Sequence, residues 1–245
     1  EACASRGLKF GCTVQCRVRA AIQAMRKAIA DGRFGKLLHA DAFMKWFRPV
    51  DYYHMDAWRS LRKAGAGVTV QHAFHYIDLL QYLVGPAARV QARMTNLVHP
   101  DVALEDTLLA FVDFECGAQG VVEASTALWP GTDVRIEVNG TKGTAIMTGE
   151  KMATWTFEDD QPEDEAIRRL GDESQATAAG GAADFGFADH QVVVEDFIEA
   201  VNTDRDVIIP VASVRPTLEM VLAMYQSAAK GTSVDLPIID DPSIW

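Results

Sequence analysis

Between Arg89 and Phe157 the chain offers one strand-length segment after another, and this run constrains the fold more than any other feature. The segments are Arg89–Asn96, Asp106–Phe114, Ala118–Ala127, Asp133–Asn139, Gly143–Thr148 and Met152–Phe157. Turn chemistry separates them at Glu115-Cys-Gly117, Pro130-Gly131 and Asn139-Gly-Thr-Lys-Gly143. Parallel neighbours need long crossovers, so segments joined this tightly predict an antiparallel meander.

Helical and strand periods flank the run. Leu8–Val18 reads as a short strand. Residues 18–31 follow with an apolar stripe at Val18, Ile22, Met25 and Ile29, closed by Asp31-Gly32. Leu37–Phe47 alternates like a strand, and a polar, aromatic loop fills 48–63. From 159 to 189 periodicity fails: Glu158–Glu165 is acidic, and Ala176–Ala183 is a small-residue tract with Gly180-Gly181. A mobile lid or disorder is the expectation there. Two helices close the chain. Asp189–Asn202 should turn Val192, Phe197, Ile198 and Val201 inward. Ser213–Gly231 should use Ser213 as its N-cap and hold Pro216 in its first turn.

The expected fold is therefore α+β, one open and mainly antiparallel sheet with helices packed on one face. The other face should be flat and relatively apolar, which predicts a homo-oligomer formed through it.

Charge is uneven across the 245 residues. The net charge is −11, yet residues 1–63 carry 13 Lys/Arg against 5 Asp/Glu, and the remainder 10 against 29. The overall acidity argues against non-specific nucleic-acid binding. The basic first quarter is either a solvated face or a site for an anion such as a pyrophosphate or a uronate. No run approaches the roughly 18 apolar residues of a membrane span. Cys3, Cys12, Cys16 and Cys116 read as reduced thiols of a cytoplasmic protein. In an extended run Cys12 and Cys16 would stand about 13 Å apart, too far for a disulfide or a shared metal.

Chemistry concentrates in Gly65-Ala-Gly-Val-Thr-Val-Gln71-His-Ala-Phe-His75-Tyr-Ile-Asp78, which leads to a helix ending on Gly85. Helical spacing puts Gln71, His75 and Asp78 on one face. An imidazole between an amide and a carboxylate can be oriented and tuned for proton transfer. Asp78 could equally cap a neighbouring backbone group. His72 and His75 form His-x-x-His without a recognisable third ligand, so no metal is expected. Tyr53, Trp58 and Arg59 suit stacking on a sugar and pairing with an anionic group.

This stretch resembles the glycine-led histidine helix of the Gfo/Idh/MocA family of NAD(P)-dependent sugar and inositol oxidoreductases. Lys9–Arg17, ending Gln15-Cys16-Arg17, resembles the last strand of that family's Rossmann domain. Gly32-Arg-Phe-Gly-Lys-Leu37 resembles its entry into the sheet, and Tyr52-Tyr53 with Trp58-Arg59 its substrate-side loop. His190 through Asp196-Phe197, then Ala223-Met-Tyr225-x-Ser227-Ala228-x-x-Gly231, resemble its final helix pair. Two departures stand out. Gln71 replaces the usual Asp or Asn, and Ala64-Gly65-Ala66-Gly67 replaces Asp-Gly-Gly-Gly. A dinucleotide turn of the form G-x-G-x-x-G and the family's Glu-Lys-Pro are not found.

The resemblance implies a remnant of the Rossmann domain at 1–17 and a substrate, catalytic and oligomerisation domain at 18–245. The nucleotide-binding half would lie upstream of Glu1. It implies hydride transfer between NAD or NADP and a sugar, inositol or related polyol. His75, Gln71 and Asp78 would be catalytic. Arg17, Tyr53, Trp58, Arg59 and His190 would bind substrate, and Gln15 and Arg17 would touch the cofactor. The isolated chain should not turn over. Competing expectations are a non-catalytic carbohydrate-sensing or scaffolding protein of the same fold, and an NAD-dependent glycosidase.

Overall fold

A computed structural model describes residues 1–65, 67–173 and 186–239. Its centre is an eight-stranded sheet. The strands are β1 (Leu37–Lys45), β2 (Ala87–Thr95), β3 (Thr107–Phe114), β4 (Gln119–Ser125), β5 (Arg135–Gly140), β6 (Gly143–Thr148), β7 (Lys151–Phe157) and β8 (Val234–Asp235). They lie in the order β7-β6-β5-β1-β4-β3-β2-β8.

The sheet is open and mainly antiparallel, but it is not a simple meander. β1 enters from far upstream and separates β4 from β5, parallel to β4 (Phe43 opposite Glu123) and antiparallel to β5 (Ala42 opposite Ile136). Its inward residues Ala40, Ala42 and Met44 are buried, as a central strand requires. Gly120 permits the close approach: a Cβ there would stand 2.0 Å from the Ala40 carbonyl oxygen.

Helices α1 (Ala20–Ala30), α3 (Phe74–Val84) and α6 (Val211–Lys230) cover one face. Ile22 and Met25 of α1, Ile77, Leu79, Leu80 and Leu83 of α3, and Met220, Val221 and Met224 of α6 are fully enclosed. Each such side chain contributes about 1.5–3 kcal/mol through removal from water. On the opposite face Leu109 and Phe111 of β3 stand exposed.

Several expectations need correction. Leu8–Val18 is not a strand: only Gly11 bridges, to Pro210, and Gln15–Val18 forms a 3-10 turn. The extended spacing assumed for Cys12 and Cys16 therefore does not apply, although all four cysteines are free thiols. The loop at 48–63 contains a short helix, α2 (Val50–His54). Part of the acidic segment forms α4 (Asp164–Arg168), held where Arg33 and the Trp155 indole both donate to Asp164. The tract Ala176–Ala183 lies outside the described residues.

α5 (Ala188–Thr203) turns the other way from its expected orientation. Val192, Phe197, Ile198 and Val201 are exposed, whereas Val193 and Ala200 are buried. Its contact is with the Gln15–Val18 turn, and Val193 packs in a small cluster with Val14, Ile209 and Val214. α6 begins at Val211 after Pro210, so Ser213 is not its cap and Pro216 falls in its second turn. Instead, the Ser213 hydroxyl donates to the Pro210 carbonyl and receives Arg17.

Candidate functional site

The site begins with a change of helical pitch. Gly67 has φ +117°, open to glycine and rarely to other residues, and Val68–Ala73 then winds as a π-helix before α3 takes over at Phe74. Wider winding changes which residues share a face. Gln71, His72 and His75 all line one cavity of about 400 Å³. Asp78 does not join them.

Other walls come from distant parts of the chain. The Gln15–Val18 turn supplies Gln15 and Cys16, and the end of β1 supplies Trp46 and Arg48. α2 and the following turn supply Tyr52, Trp58 and Arg59, and α5 supplies His190. Arg59 lies over the rings of both Tyr52 and Trp58, at 4.5 and 4.8 Å, and pairs with Asp56. Arg48 lies over Trp46 and Tyr52. Among the described lining residues there is no carboxylate.

Several polar atoms at this cavity are buried without a hydrogen-bond partner: Gln15 Oε1, Gln71 Oε1, both His72 ring nitrogens and His75 Nδ1. Such groups are costly unless something polar completes them. The Gln71 amide is oriented because its Nε2 donates to the Tyr52 hydroxyl at 2.6 Å, leaving its oxygen open. Burial lowers the pKa of His75, only partly opposed by the charge of Asp78, with His190 and Arg19 adding to the fall. Burial pushes His72 down to about 3, helped by Arg48, Arg59 and His75. Burial also raises the Cys16 thiol to about 11, which keeps it protonated and unreactive. Two neutral imidazoles thus stand beside two guanidinium groups.

The predicted site residues divide. Gln15, Trp58, Arg59, Gln71, His75 and His190 meet at the cavity. Arg17 and Asp78 do not: they form a buried ion pair behind it, and Asp78 also accepts from Thr217 Oγ1 at 2.7 Å. Both oxygens of Asp78 are engaged there, so it reaches His75 by charge and not by a hydrogen bond. Tyr53 is fully buried on the far side of α2, its hydroxyl bonded to Thr126 and its ring against His99. Its neighbour Tyr52 takes the cavity position. Cys16, Trp46, Arg48, Tyr52, His72 and Tyr76 were not foreseen as site residues. Tyr52 was signalled by its place in the substrate-side loop and His72 by His-x-x-His; Cys16 and Tyr76 lie beside Gln15 and His75, and Trp46 and Arg48 carried no specific signal in the sequence.

Gln15 and Arg17 are the residues expected to touch a dinucleotide. Gln15, with its orphaned oxygen, fits a polar group at the cavity edge; Arg17, consumed by Asp78, does not. Among the described residues no cluster of His, Cys, Asp and Glu could hold a metal ion, and no helix is long and apolar enough to cross a membrane.

Known proteins share this fold. Residues 22–146 match the model of the GFO/IDH/MocA C-terminal domain. The 1,5-anhydro-D-fructose reductase of Ensifer adhaerens is 31% identical over 159 residues, covering 62% of this chain and 46% of that protein. This chain thus spans about half the length of that curated relative. The WlbA dehydrogenase of Bordetella pertussis, solved with NADH and UDP-GlcNAcA, superposes with a TM-score of 0.84 at 27% identity, over 97% of this chain and 66% of that one. Levoglucosan dehydrogenase, solved with NADH, shares the fold with a TM-score of 0.76 at 23% identity, over 95% of this chain and 67% of that one. With residues 22–146 matched and the fold superposing almost throughout, the chain belongs to the Gfo/Idh/MocA family.

Proposed function

We propose that this chain is the substrate-binding and proton-transferring part of an NAD(P)-dependent oxidoreductase acting on a sugar, inositol or related polyol, and that the substrate carries an anionic group. The observation that carries the reading is the cavity itself: His75 and Gln71, each with a polar atom that has no hydrogen-bond partner, line a space walled by two guanidinium groups and no described carboxylate. A hydroxyl-rich ring meets the side chains of Gln71 and His75, a carboxylate or phosphate meets Arg59, and Tyr52 and Trp58 offer faces for stacking.

Burial keeps the His75 imidazole neutral, with a lone pair free to take the substrate hydroxyl proton. Gln71, fixed by Tyr52, accepts a second hydroxyl and holds the ring in place. The nicotinamide, when bound, supplies the hydride acceptor or donor. Residues 1–17 are taken as the remnant of the nucleotide-binding domain and 18–245 as the substrate domain, with the rest of the cofactor site on a separate portion of the protein. The exposed sheet face carrying Leu109 and Phe111 is the proposed surface for self-association.

The test compares matched sugars, glucose against glucuronate, in protein that includes a dinucleotide-binding domain. The acid should show a roughly 10²-fold higher kcat/KM, the scale of a charge-assisted hydrogen-bond pair. Arg59→Ala should remove that advantage, and His75→Ala should impair both substrates. Equal rates on both sugars would overturn the anionic-substrate reading, and no turnover with any polyol would overturn the oxidoreductase reading.

A further inference from the structure

The carboxylate of Glu105 lies outside the cavity and belongs to none of the groups assigned above, yet it sits at the start of the segment that builds the site. It is almost fully enclosed, with a side-chain exposure of 3%. Oε1 accepts the Thr69 backbone N–H at 3.1 Å and the Tyr225 hydroxyl at 2.6 Å, and Oε2 pairs with Arg62 Nη2 at 3.0 Å. The Glu105 main-chain carbonyl also accepts the Val68 N–H at 3.1 Å. Thus the first N–H groups of the π-helix, which no earlier turn can satisfy, are bonded by one residue from the β2–β3 connection. A negative charge at a helix N-terminus also meets the positive end of the helix dipole.

Gly67 makes this seat possible. A Cβ on Gly67 would stand 2.4 Å from Glu105 Oε1 and 2.7 Å from Oε2, so the carboxylate occupies the volume that any side chain there would fill. Glycine at 67 is required both by its positive φ and by this carboxylate.

We propose that Glu105, seated on Gly67 and braced by Tyr225 and Arg62, is a positioning residue: it fixes where the π-helix starts and so which residues face the cavity. Gln71 and His72 lie in this segment and His75 just after it. A shift in where the segment begins rotates all three together. Glu105 touches neither substrate nor cofactor and acts only through the segment. The inference rests on the assignment of His75 as the proton-transfer group, but its test does not depend on turnover alone.

The test is the titration of His75 followed by ¹⁵N NMR of its imidazole in the chain itself. Asp78, His190 and Arg19 act on this ring by charge, His72 is coupled to it and feels Arg48 and Arg59 as well, and none is altered by the variants. Glu105→Ala should raise the His75 pKa by about one unit, because a loosened segment admits water to the ring. Glu105→Gln, which keeps the shape and one acceptor, should restore most of the original value. The His99 ring, bonded to Asp106 and the Arg48 carbonyl, reports that the fold is intact. If Glu105→Ala does not fold, Tyr225→Phe removes one brace and should move His75 the same way by less. An unchanged His75 titration in whichever of these variants folds overturns the proposal. With an active enzyme in hand, Glu105→Ala should lower kcat by roughly 10²-fold, the cost of slight misplacement. A moved titration with no turnover in any form, wild type included, retains the positioning role and rejects the catalytic assignment instead.

Discussion

Arg17 and Asp78 meet in a bidentate ion pair, Nε to Oδ2 and Nη2 to Oδ1 both at 2.6 Å, across 61 residues of chain. Both side chains are almost completely enclosed, and Arg17 also reaches the Ser213 hydroxyl and carbonyl. One guanidinium therefore joins the Gln15–Val18 turn to α3 and α6 directly behind the cavity.

Removing either partner strands a charge in the interior. Asp78→Leu or Arg17→Met should each cost about 3–5 kcal/mol, the scale for breaking a buried pair. Thermal unfolding should show midpoints lower by on the order of 10 °C. The double variant Arg17→Met with Asp78→Leu should recover part of the loss, since no unpaired charge is left. Additive losses in the double variant would show that the two residues act separately.

His75 and Gln71 should separate kinetically. In protein that includes a dinucleotide-binding domain, His75→Ala should lower kcat by roughly 10²–10⁴-fold with a smaller effect on substrate affinity. Gln71→Ala should act mainly on KM, because an amide binds a hydroxyl but does not relay its proton. Because the folded environment lowers the His75 pKa, the acid limb of the rate profile should lie below the ordinary histidine value of 6.5. Near-normal kcat in His75→Ala would reject the role given to it.

His72 sets a pH dependence of stability. It is held neutral, with a pKa of about 3 in the fold against 6.5 as the ordinary value. The unfolded chain thus binds a proton that the folded one refuses. Stability from this group is complete above pH 6.5 and falls progressively as the pH drops toward 3. Urea titrations at pH 7.5 and 4.5 should show a smaller difference in His72→Gln than in the original chain. Identical pH slopes would mean that His72 protonates in the fold without penalty.

The chain by itself should bind NAD(H) or NADP(H) weakly, because the sequence lacks a glycine-rich turn leading into a helix N-terminus that could hold the pyrophosphate. Calorimetry should give no dissociation constant tighter than about 100 µM, on the order of 5 kcal/mol of binding. A micromolar constant would place a nucleotide site on this chain itself.

By itself the sequence determined the local elements. Alternation in Leu37–Phe47 and the strands after Arg89 follows from one face meeting the core, and the stripe of Ile22 and Met25 from the helical period. The cavity members Gln71, His75, Trp58 and Arg59 were legible because their residue types and spacing carry chemistry in a short window. Tertiary structure decided what no local window contains. Insertion of β1 between β4 and β5 depends on pairing with strands about eighty to a hundred residues away. The choice of Tyr52 over Tyr53, and of Val193 and Ala200 over Val192 and Ile198, depends on which face of an element finds a partner. Asp78 faces Arg17 and Thr217, which meet α3 only in the folded chain, and Gln71 reaches His75 through a π-helical turn that simple helical spacing does not foresee. That turn in its place depends on Glu105 and Gly67, which come together only when the chain has folded.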